Sequence, residues 1–472
     1  MTAGRQPYNL VIIGADTLRP DHLSSYGYRR ETSPNLDRLA AEGARFADFQ
    51  AAHIPTHPAF TTLLTGVDPL RHGILAHSGS RQLRPDVPML AQRLHEAGYV
   101  SAAVDNMLAM QAGPTWFARG FDYFRSYRYA PGTGEAARLT DWALELLALV
   151  QQSDAPFALF VHYFDPHTPY APPPEFRRRF YTGDERDPVN HSLRAVVETD
   201  DALTPLLLGD LWTTGVTDIE YVLAQYDGEI AFLDQQVGRL LAALETPALR
   251  ERTLVLFLSD HGEAFGEGGL YFDHHTLHDA VTRCALLMRL PGVIPAGTVV
   301  GGLASSMDIT PTILDLLALP AIAPALQPGR SLRPLLEGRS VREDAPLGEA
   351  SRQVSHGVVT PEWRLIQPIT RTAAGRPVPD FRGRQRDPAL LLFHRPSDPG
   401  ERRNVAAEHP AVVEDLQERL RRRLRAAAPF TGTDDPFRHC LPSLPFDVLV
   451  ERQRQRSGPT AAHPTDRPAR PV

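Results

Sequence analysis

The sequence contains no lysine. All 49 basic residues are arginines, set against 56 Asp and Glu for a net charge of −7. Any positive side chain that meets an anion must therefore be Arg or His. The acidic balance gives no hint of nucleic acid as a partner. Cysteine is nearly absent too: Cys284 and Cys440 cannot make a disulfide framework, so a reduced, cytoplasmic setting is expected. No apolar run is long enough to span a membrane. The N-terminus passes from a short polar lead into a strand-like segment, without the charged-then-apolar pattern of a signal sequence, which again predicts a cytoplasmic protein with an intracellular substrate. Internal repeats are lacking as well.

What the chain does have is a set of short apolar runs, each ending in polar groups. Tyr8–Ala15 ends at Asp16, and Thr253–Ser259 at Asp260-His261-Gly262. Phe157–Phe164 ends at Asp165-Pro166-His167, and Tyr99–Val104 at Asp105-Asn106. Apolar runs without alternation read as strands buried on both faces, as in a parallel sheet covered by helices. In such sheets ligands bind beyond the carboxyl ends of the strands. The fold class expected is α/β, with a large central, mostly parallel sheet flanked by helices. Its carboxyl edge would gather carboxylates, imidazoles and an amide into one polar site.

The segment from Pro55 to Gly66 supplies a nucleophile candidate. Thr56 would sit near the N-cap of a short helix with Pro58 in the first turn. Free N–H groups and the positive helix end there favour an anion. Asp16, Asp260 and His261 suit a divalent ion: two carboxylates for charge and one imidazole for a borderline metal such as Mn²⁺ or Zn²⁺. A Thr hydroxyl is a poor nucleophile at neutral pH, and metal coordination is one way to activate it. The residues thus suggest a metal-activated Thr attacking an anionic phosphorus or sulfur centre.

Longer stretches carry a resemblance. NLVIIGADTLRPDHLSSYGY from Asn9, SPNLDRLAAEGARF from Ser33, THPAFTTLLTGVDPLRHGI from Thr56 and FVHYFDPHTPYAPP from Phe160 resemble the sulfatase branch of the alkaline phosphatase superfamily. So do YDGEIAFLDQQVGRLL from Tyr226, FLSDHGEAFGE from Phe257, MDITPTILDLLALP from Met307 and SDPGERRNVAAEHP from Ser397, in the family's order, over roughly residues 8 to 425. The resemblance implies an alkaline phosphatase-like fold and an ester hydrolase dependent on a divalent metal (Mn²⁺, Zn²⁺, Mg²⁺ or Ca²⁺), with one ion favoured over two. It implies Asp16, Asp260 and His261 as metal ligands and Thr56 as nucleophile. His167 would contact the substrate's oxyanion or leaving group. His274 or His275 would contact the bound anion, and Asn106 is a further oxyanion donor candidate. A second ion would need Asp165 with His274 or His275. His57 and the Arg71-His72 pair read as structural.

Departures from the family bear on the substrate. Sulfatases carry Cys or Ser before x-Pro-x-Arg, oxidised to formylglycine; here the positions read Thr56-His57-Pro58-Ala59-Phe60. Threonine cannot give that aldehyde. Thr17 stands where the family has a second Asp. A formylglycine hydrate expels sulfate by collapsing to the aldehyde, whereas a modified threonine must be attacked again by water. Threonine nucleophiles occur in the related nucleotide pyrophosphatase/phosphodiesterases. The expectation is a phosphate or phosphonate ester substrate through a covalent Thr56 intermediate. A true sulfuric ester hydrolase and a non-catalytic anion-binding relative are the alternatives.

The rest reads as scaffold. Ser33-Pro34 opens a helix that Gly43 closes. Thr217 to Glu220 forms a capping box before an amphipathic helix with Ile219, Val222, Ile230, Leu233, Val237, Leu240, Leu241 and Leu244 on its buried stripe. Asp227, Glu229 and Asp234 on that helix read as a solvated or salt-bridged face. Arg421, Arg422, Arg423 and Arg425 mark an exposed face or a subunit contact, which allows a homo-oligomer. The domains expected are a catalytic one over 1–345, a smaller C-terminal α+β subdomain over 346–430 containing a strand at Trp363–Ile366, and an extended, disordered tail over 431–472, Pro-rich beyond about 453. Residues 176–216 are a candidate wall or lid beside the leaving group.

Overall fold

The computed structural model describes residues 7–76, 82–106, 115–127, 135–194, 196, 215–326, 329–380 and 387–440. The four apolar runs form neighbouring parallel strands. They are β1 (Asn9–Ala15), β3 (Val100–Asp105), β5 (Phe157–Tyr163) and β6 (Thr253–Ser259). β1 lies between β6 and β5, with Ala15 level with Ser259 and Tyr163, and β3 follows on the far side of β5. β2 (Ala44–Gln50), β4 (Tyr123–Ser126), β9 (Arg283–Cys284), β10 (Leu286–Arg289) and β11 (Thr298–Ser305) complete a nine-stranded sheet. Its order is β11-β2-β10-β6-β1-β5-β3-β4, with β9 paired to β2. β10 runs antiparallel to both its neighbours. A short hairpin of β7 (Ala264–Phe265) and β8 (Tyr271–Asp273) stands apart.

Alternate residues of β1 point into different cores, so both faces of the sheet are dry. Leu10 and Ile12 pack with Phe60 and Leu63 of the helix Thr56–Thr65. Val11 and Ile13 pack with the helices Glu135–Val150 and Ile219–Ala242. That two-sided burial is why the runs are continuously apolar.

Two expectations for the helix Ile219–Ala242 need correction. Asp218, not Thr217, is its N-cap, accepting from the Glu220 N–H at 3.0 Å. Of the solvated or salt-bridged reading, the salt bridge holds for Asp227, while solvation does not, since all three carboxylates are buried. Asp227 pairs with Arg30 and accepts from the Tyr28 hydroxyl. Asp234 accepts from the N–H groups of Asn35 and Leu36 at the start of the helix Pro34–Ala41. Glu229 accepts from the Ala171 N–H. Their partners lie far away in sequence, where helical periodicity says nothing.

Beyond the main sheet, β12 (Ala345–Glu349), β13 (Ser355–Val359), β14 (Trp363–Pro368) and β15 (Leu391–His394) form an antiparallel sheet. Leu416, Leu420 and Leu424 of the helix Pro410–Thr431 pack on it with Val358, Leu365 and Leu392. Of the arginine run, Arg423 forks onto Asp68 just after the helix Thr56–Thr65, while Arg421 and Arg425 pair with Glu418 on their own helix. The packed structure continues past the expected start of the tail at 431. Phe437 is fully buried, its ring against His53 and His356. The remainder of that tail, and residues 195 and 197–214 of the candidate lid, lie outside the described residues. No helix among the described residues is long and apolar enough to cross a membrane.

Arg364 of β14 ties the two sheets together. Fully buried, it donates to Glu401 at 2.6 Å, to Thr282 at 2.6 Å, to the Leu277 carbonyl at 3.0 Å and to Asp279. Removing one partner of a buried ion pair leaves the other uncompensated, at about 3–5 kcal/mol. Arg364→Leu is expected to lower the free energy of unfolding by about that amount, read from denaturant midpoints. A loss within about 1 kcal/mol would show that the network does not hold the sheets together.

Candidate active site

The carboxyl ends of β1 and β6 set the site. Asp16 follows β1 and Asp260 follows β6, so adjacent parallel strands bring the two carboxylates together, both fully buried. Thr17, at φ 52°, turns the chain sharply, and its N–H donates to Asp260 Oδ1 at 3.3 Å. Thr56 is the first residue of the helix Thr56–Thr65. Its hydroxyl donates to Asp16 Oδ2 at 3.3 Å and lies 3.4 Å from His261 Nε2.

The donor set fits a divalent cation. His261 Nε2 faces Asp16 Oδ1 at 3.8 Å and Asp260 Oδ2 at 3.3 Å. One ligand atom from each of the three residues lies within 4.8 Å of the others. The His261 Nδ1–H has the Gly262 carbonyl as its acceptor at 3.0 Å, which leaves Nε2 with a lone pair for a metal. Asp16 Oδ1 and Asp260 Oδ2 are buried and have no hydrogen-bond partner among the described residues. Burial first, then the neighbouring Asp260 and Glu263, pushes the Asp16 carboxyl well above its usual range. Burial also raises Asp260 and lowers His261. Two desolvated carboxylates side by side are costly unless a cation joins them.

A wall of imidazoles stands next to this set. The His274 ring lies 4.5 Å from His261, 5.2 Å from His167 and 4.6 Å from His275, centre to centre. The structure therefore gathers His167, His261, His274 and His275 into one cluster. Burial, reinforced by the other three histidines, drives the His274 pKa well below its usual value and keeps the ring neutral. Its Nδ1 is 3.3 Å from Glu263, which also accepts from the Tyr170 hydroxyl at 3.1 Å. His275 Nδ1 meets Glu349 of β12 at 3.1 Å. Asp273, His274 and His275 form a second ligand-like group. Its carboxylate is already engaged: Asp273 pairs with Arg352 at 2.9 Å. Burial opposes ionisation of Asp273, but Arg352 and His275 outweigh it and hold the carboxyl below its usual range.

Asn106 and Asp165 are the remaining candidates. Asn106 is buried beside Tyr127, and among the described residues no hydrogen bond joins it to Thr56, Asp16, Asp260 or His261. Asp165 faces the acidic Glu229 and Glu135, an arrangement that gives no support to a second ion shared with His274 or His275. The His57 ring lies against Phe117, and His72 meets the Thr62 hydroxyl at 3.0 Å, both scaffold contacts.

The sequence reading overlooked His162, Glu263, Glu349 and Arg352. His162 was hidden inside an apolar run, although a lone imidazole there is itself a signal. Glu263 lies two residues from His261 within a quoted motif. Glu349 and Arg352 reach the site from the C-terminal sheet, and no local pattern marks them.

A buried hydroxyl at a helix start, a carboxylate–imidazole set beside it and a facing wall of histidines together form the candidate site of an ester hydrolase. Comparison with known proteins agrees. The sulfatase family model matches residues 8–319, and the model for the N-sulphoglucosamine sulphohydrolase C-terminal region matches 266–373. The chain is 25% identical over 339 residues to iduronate 2-sulfatase of Mus musculus, covering 60% of this chain and 59% of that protein. It is 24% identical over 419 residues to choline-sulfatase of Rhizobium meliloti, covering 78% and 79%. With human arylsulfatase A it shares 29% over 357 residues, covering 71% and 68%. The fold is similar to that of phosphonate monoester hydrolase of Agrobacterium radiobacter, at a TM-score of 0.64 and 23% identity over 90% of this chain and 96% of that one. It is also similar to a protein crystallised with its substrate D-glucosamine-2-N,6-O-disulfate, at a TM-score of 0.69 and 20% identity over 90% and 99%. The chain belongs to the sulfatase family.

Asp165 yields a prediction about pH. Burial pushes its carboxyl up to about 7 from 3.8. The folded protein then holds a proton that the unfolded chain releases above about pH 4. Stability linked to that proton is full at low pH and is lost as pH rises through about 7. Asp165→Asn is expected to remove this decline, raising stability at pH 8 relative to pH 5 by roughly 1–4 kcal/mol against the parent. Denaturant midpoints across pH 5 to 8 measure it, and identical slopes in both proteins would refute it.

Proposed function

We propose that the chain is a metal-dependent ester hydrolase that uses Thr56 as nucleophile on a phosphate or phosphonate ester. The observation that carries this reading is the position of the Thr56 hydroxyl, at the first residue of its helix, 3.3 Å from Asp16 and 3.4 Å from His261. A single divalent ion held by Asp16, Asp260 and His261 would supply positive charge and Lewis acidity beside that hydroxyl.

The chain's own residues divide the remaining work. Asp16 accepts the Thr56 hydrogen bond, which orients the nucleophile and gives its proton a defined acceptor. The helix N-terminus favours negative charge at the reacting group. In the first displacement Thr56 Oγ bonds to phosphorus while the ester oxygen departs. The departing oxygen leaves with the proton that Thr56 gives up, and His167 is assigned to contact that oxygen or the oxyanion. His274 and His275 hold the non-bridging oxygens, and Asn106 is at most an auxiliary donor. In the second displacement a water oxygen bonds to phosphorus and the Thr56 Oγ is released with a proton, so ester and water give alcohol and acid.

The choice of phosphorus rests on Thr56 itself. No aldehyde hydrate can form at threonine, so the covalent intermediate must be released by a second attack. Metal-assisted displacement does this more readily at phosphorus than at a sulfated threonine. The names of the curated relatives, iduronate 2-sulfatase, choline-sulfatase and arylsulfatase A, favour the other reading, a sulfate ester. Division of the chain into a catalytic domain to about residue 345 and a C-terminal subdomain to about 430 belongs to the same proposal.

The protein loaded separately with Mn²⁺, Zn²⁺, Mg²⁺ and Ca²⁺ is to be assayed on an aryl phosphate diester, an aryl phosphonate monoester and an aryl sulfate. Thr56→Ala is expected to abolish turnover while leaving the fold and metal content nearly unchanged. Activity retained in that variant removes Thr56 from its role, and faster sulfate cleavage overturns the preference for phosphorus. Metal content separates ligands from substrate contacts: Asp260→Ala is expected to lose the ion, and His167→Ala to keep it.

A further inference from the structure

A histidine in the middle of a buried strand needs a reason, because a desolvated imidazole without partners is costly. His162 is the sixth of seven residues in β5, fully buried, and level with Gly14 of β1. Its Nδ1 lies 2.9 Å from Asp105 Oδ1 at the end of β3. Its Nε2 faces Asp16 Oδ2 at 3.8 Å and has no hydrogen-bond partner among the described residues. Asp16 Oδ2 is the oxygen that accepts from the Thr56 hydroxyl. Three adjacent strands thus line up a carboxylate, an imidazole and a second carboxylate, with the nucleophile at the end of the row.

Packing holds the ring in place. Phe60, from the helix that carries Thr56, meets it edge-on at 4.5 Å. A Cβ on Gly14 would come within 2.9 Å of the Phe60 ring, so glycine at that position makes room for the aromatic contact under Asp16. Thr17 offers no carboxylate, which leaves Asp16 as the single anionic group at the end of β1. The orientation of that one carboxylate therefore decides both the metal geometry and the acceptor seen by Thr56.

We infer that Asp105 and His162 are positioning residues: Asp105 fixes the imidazole, and the imidazole, packed 3.8 Å from the Asp16 carboxylate, limits where that carboxylate can turn for metal and nucleophile alike. The inference rests on Asp16 being a metal ligand. Among the described residues the Thr56 hydroxyl bonds to Asp16 and His261 and to neither Asp105 nor His162, so their effect passes through Asp16. Partners behind a ligand typically change metal affinity by about 10–100-fold when removed.

The test is calorimetric titration of Mn²⁺ into the metal-stripped full chain, with thermal unfolding of the same samples. His162→Phe is expected to weaken Mn²⁺ binding by about 10–100-fold, and Asp105→Asn by a smaller factor. His162→Gln, which keeps a polar side chain between Asp105 and Asp16, is expected to recover most of the affinity. Parent-like affinity in His162→Phe overturns the inference, as does a loss in His162→Gln equal to that in His162→Phe. Should His162→Phe fail to fold, Asp105→Asn decides, and parent-like affinity there overturns it. Absence of Mn²⁺ binding by the parent overturns the metal reading itself and this inference with it, whereas binding by the parent that His162→Phe leaves unchanged overturns the inference alone.

Discussion

Two carboxylates, Asp16 and Asp260, stand side by side and fully buried, and much of the architecture around them follows from that. Strands β1 and β6 are parallel and in register, so their ends cannot be separated without breaking the centre of the sheet. Like charges held that way repel, and burial removes the solvent that would screen them. The surroundings answer with shared hydrogen bonds: the Thr17 and His261 N–H groups both point at Asp260, and the Thr56 hydroxyl at Asp16. What these bonds leave over is a pair of oxygens facing one imidazole, which is the electrostatic shape of a cation site.

Much of this was legible in the sequence, for physical reasons. Continuous apolar runs report strands buried on both faces, and the polar residue that ends each run reports the carboxyl edge. That is why Asp16, Asp260, His261 and Thr56 could be read as one group. The reading weakened wherever the partner lay far along the chain. Asp227, Glu229 and Asp234 look solvated on a helical wheel, yet Arg30, Ala171 and Asn35 come from other segments to bury them. His162 was missed because its neighbours in sequence are apolar, while its partners Asp105 and Asp16 lie on adjoining strands. Spacing alone could not separate His274 from His275, and the structure sets the two rings side by side in one wall.

The C-terminal sheet is more than a buttress. The Glu349 carboxylate accepts from the N–H groups of Ser351, Arg352 and Gln353, which closes the turn between β12 and β13 into a tight anion-filled loop. The same carboxylate meets His275, and Arg352 from that loop meets Asp273. Ile54, two residues before Thr56, donates its N–H to the Gly348 carbonyl at 3.0 Å. One short loop is thus wired to the histidine wall and to the approach of the helix Thr56–Thr65, and Arg364 clamps the sheet that carries it.

That wiring splits the site between two inheritances. The Asp16, Asp260 and His261 edge belongs to the central sheet, where any shift disturbs two cores at once. The Glu349–Arg352 turn belongs to a separate sheet of four antiparallel strands. A substitution after β12 would therefore reach the histidine wall through Glu349 and Arg352 while leaving the ends of β1 and β6 in place.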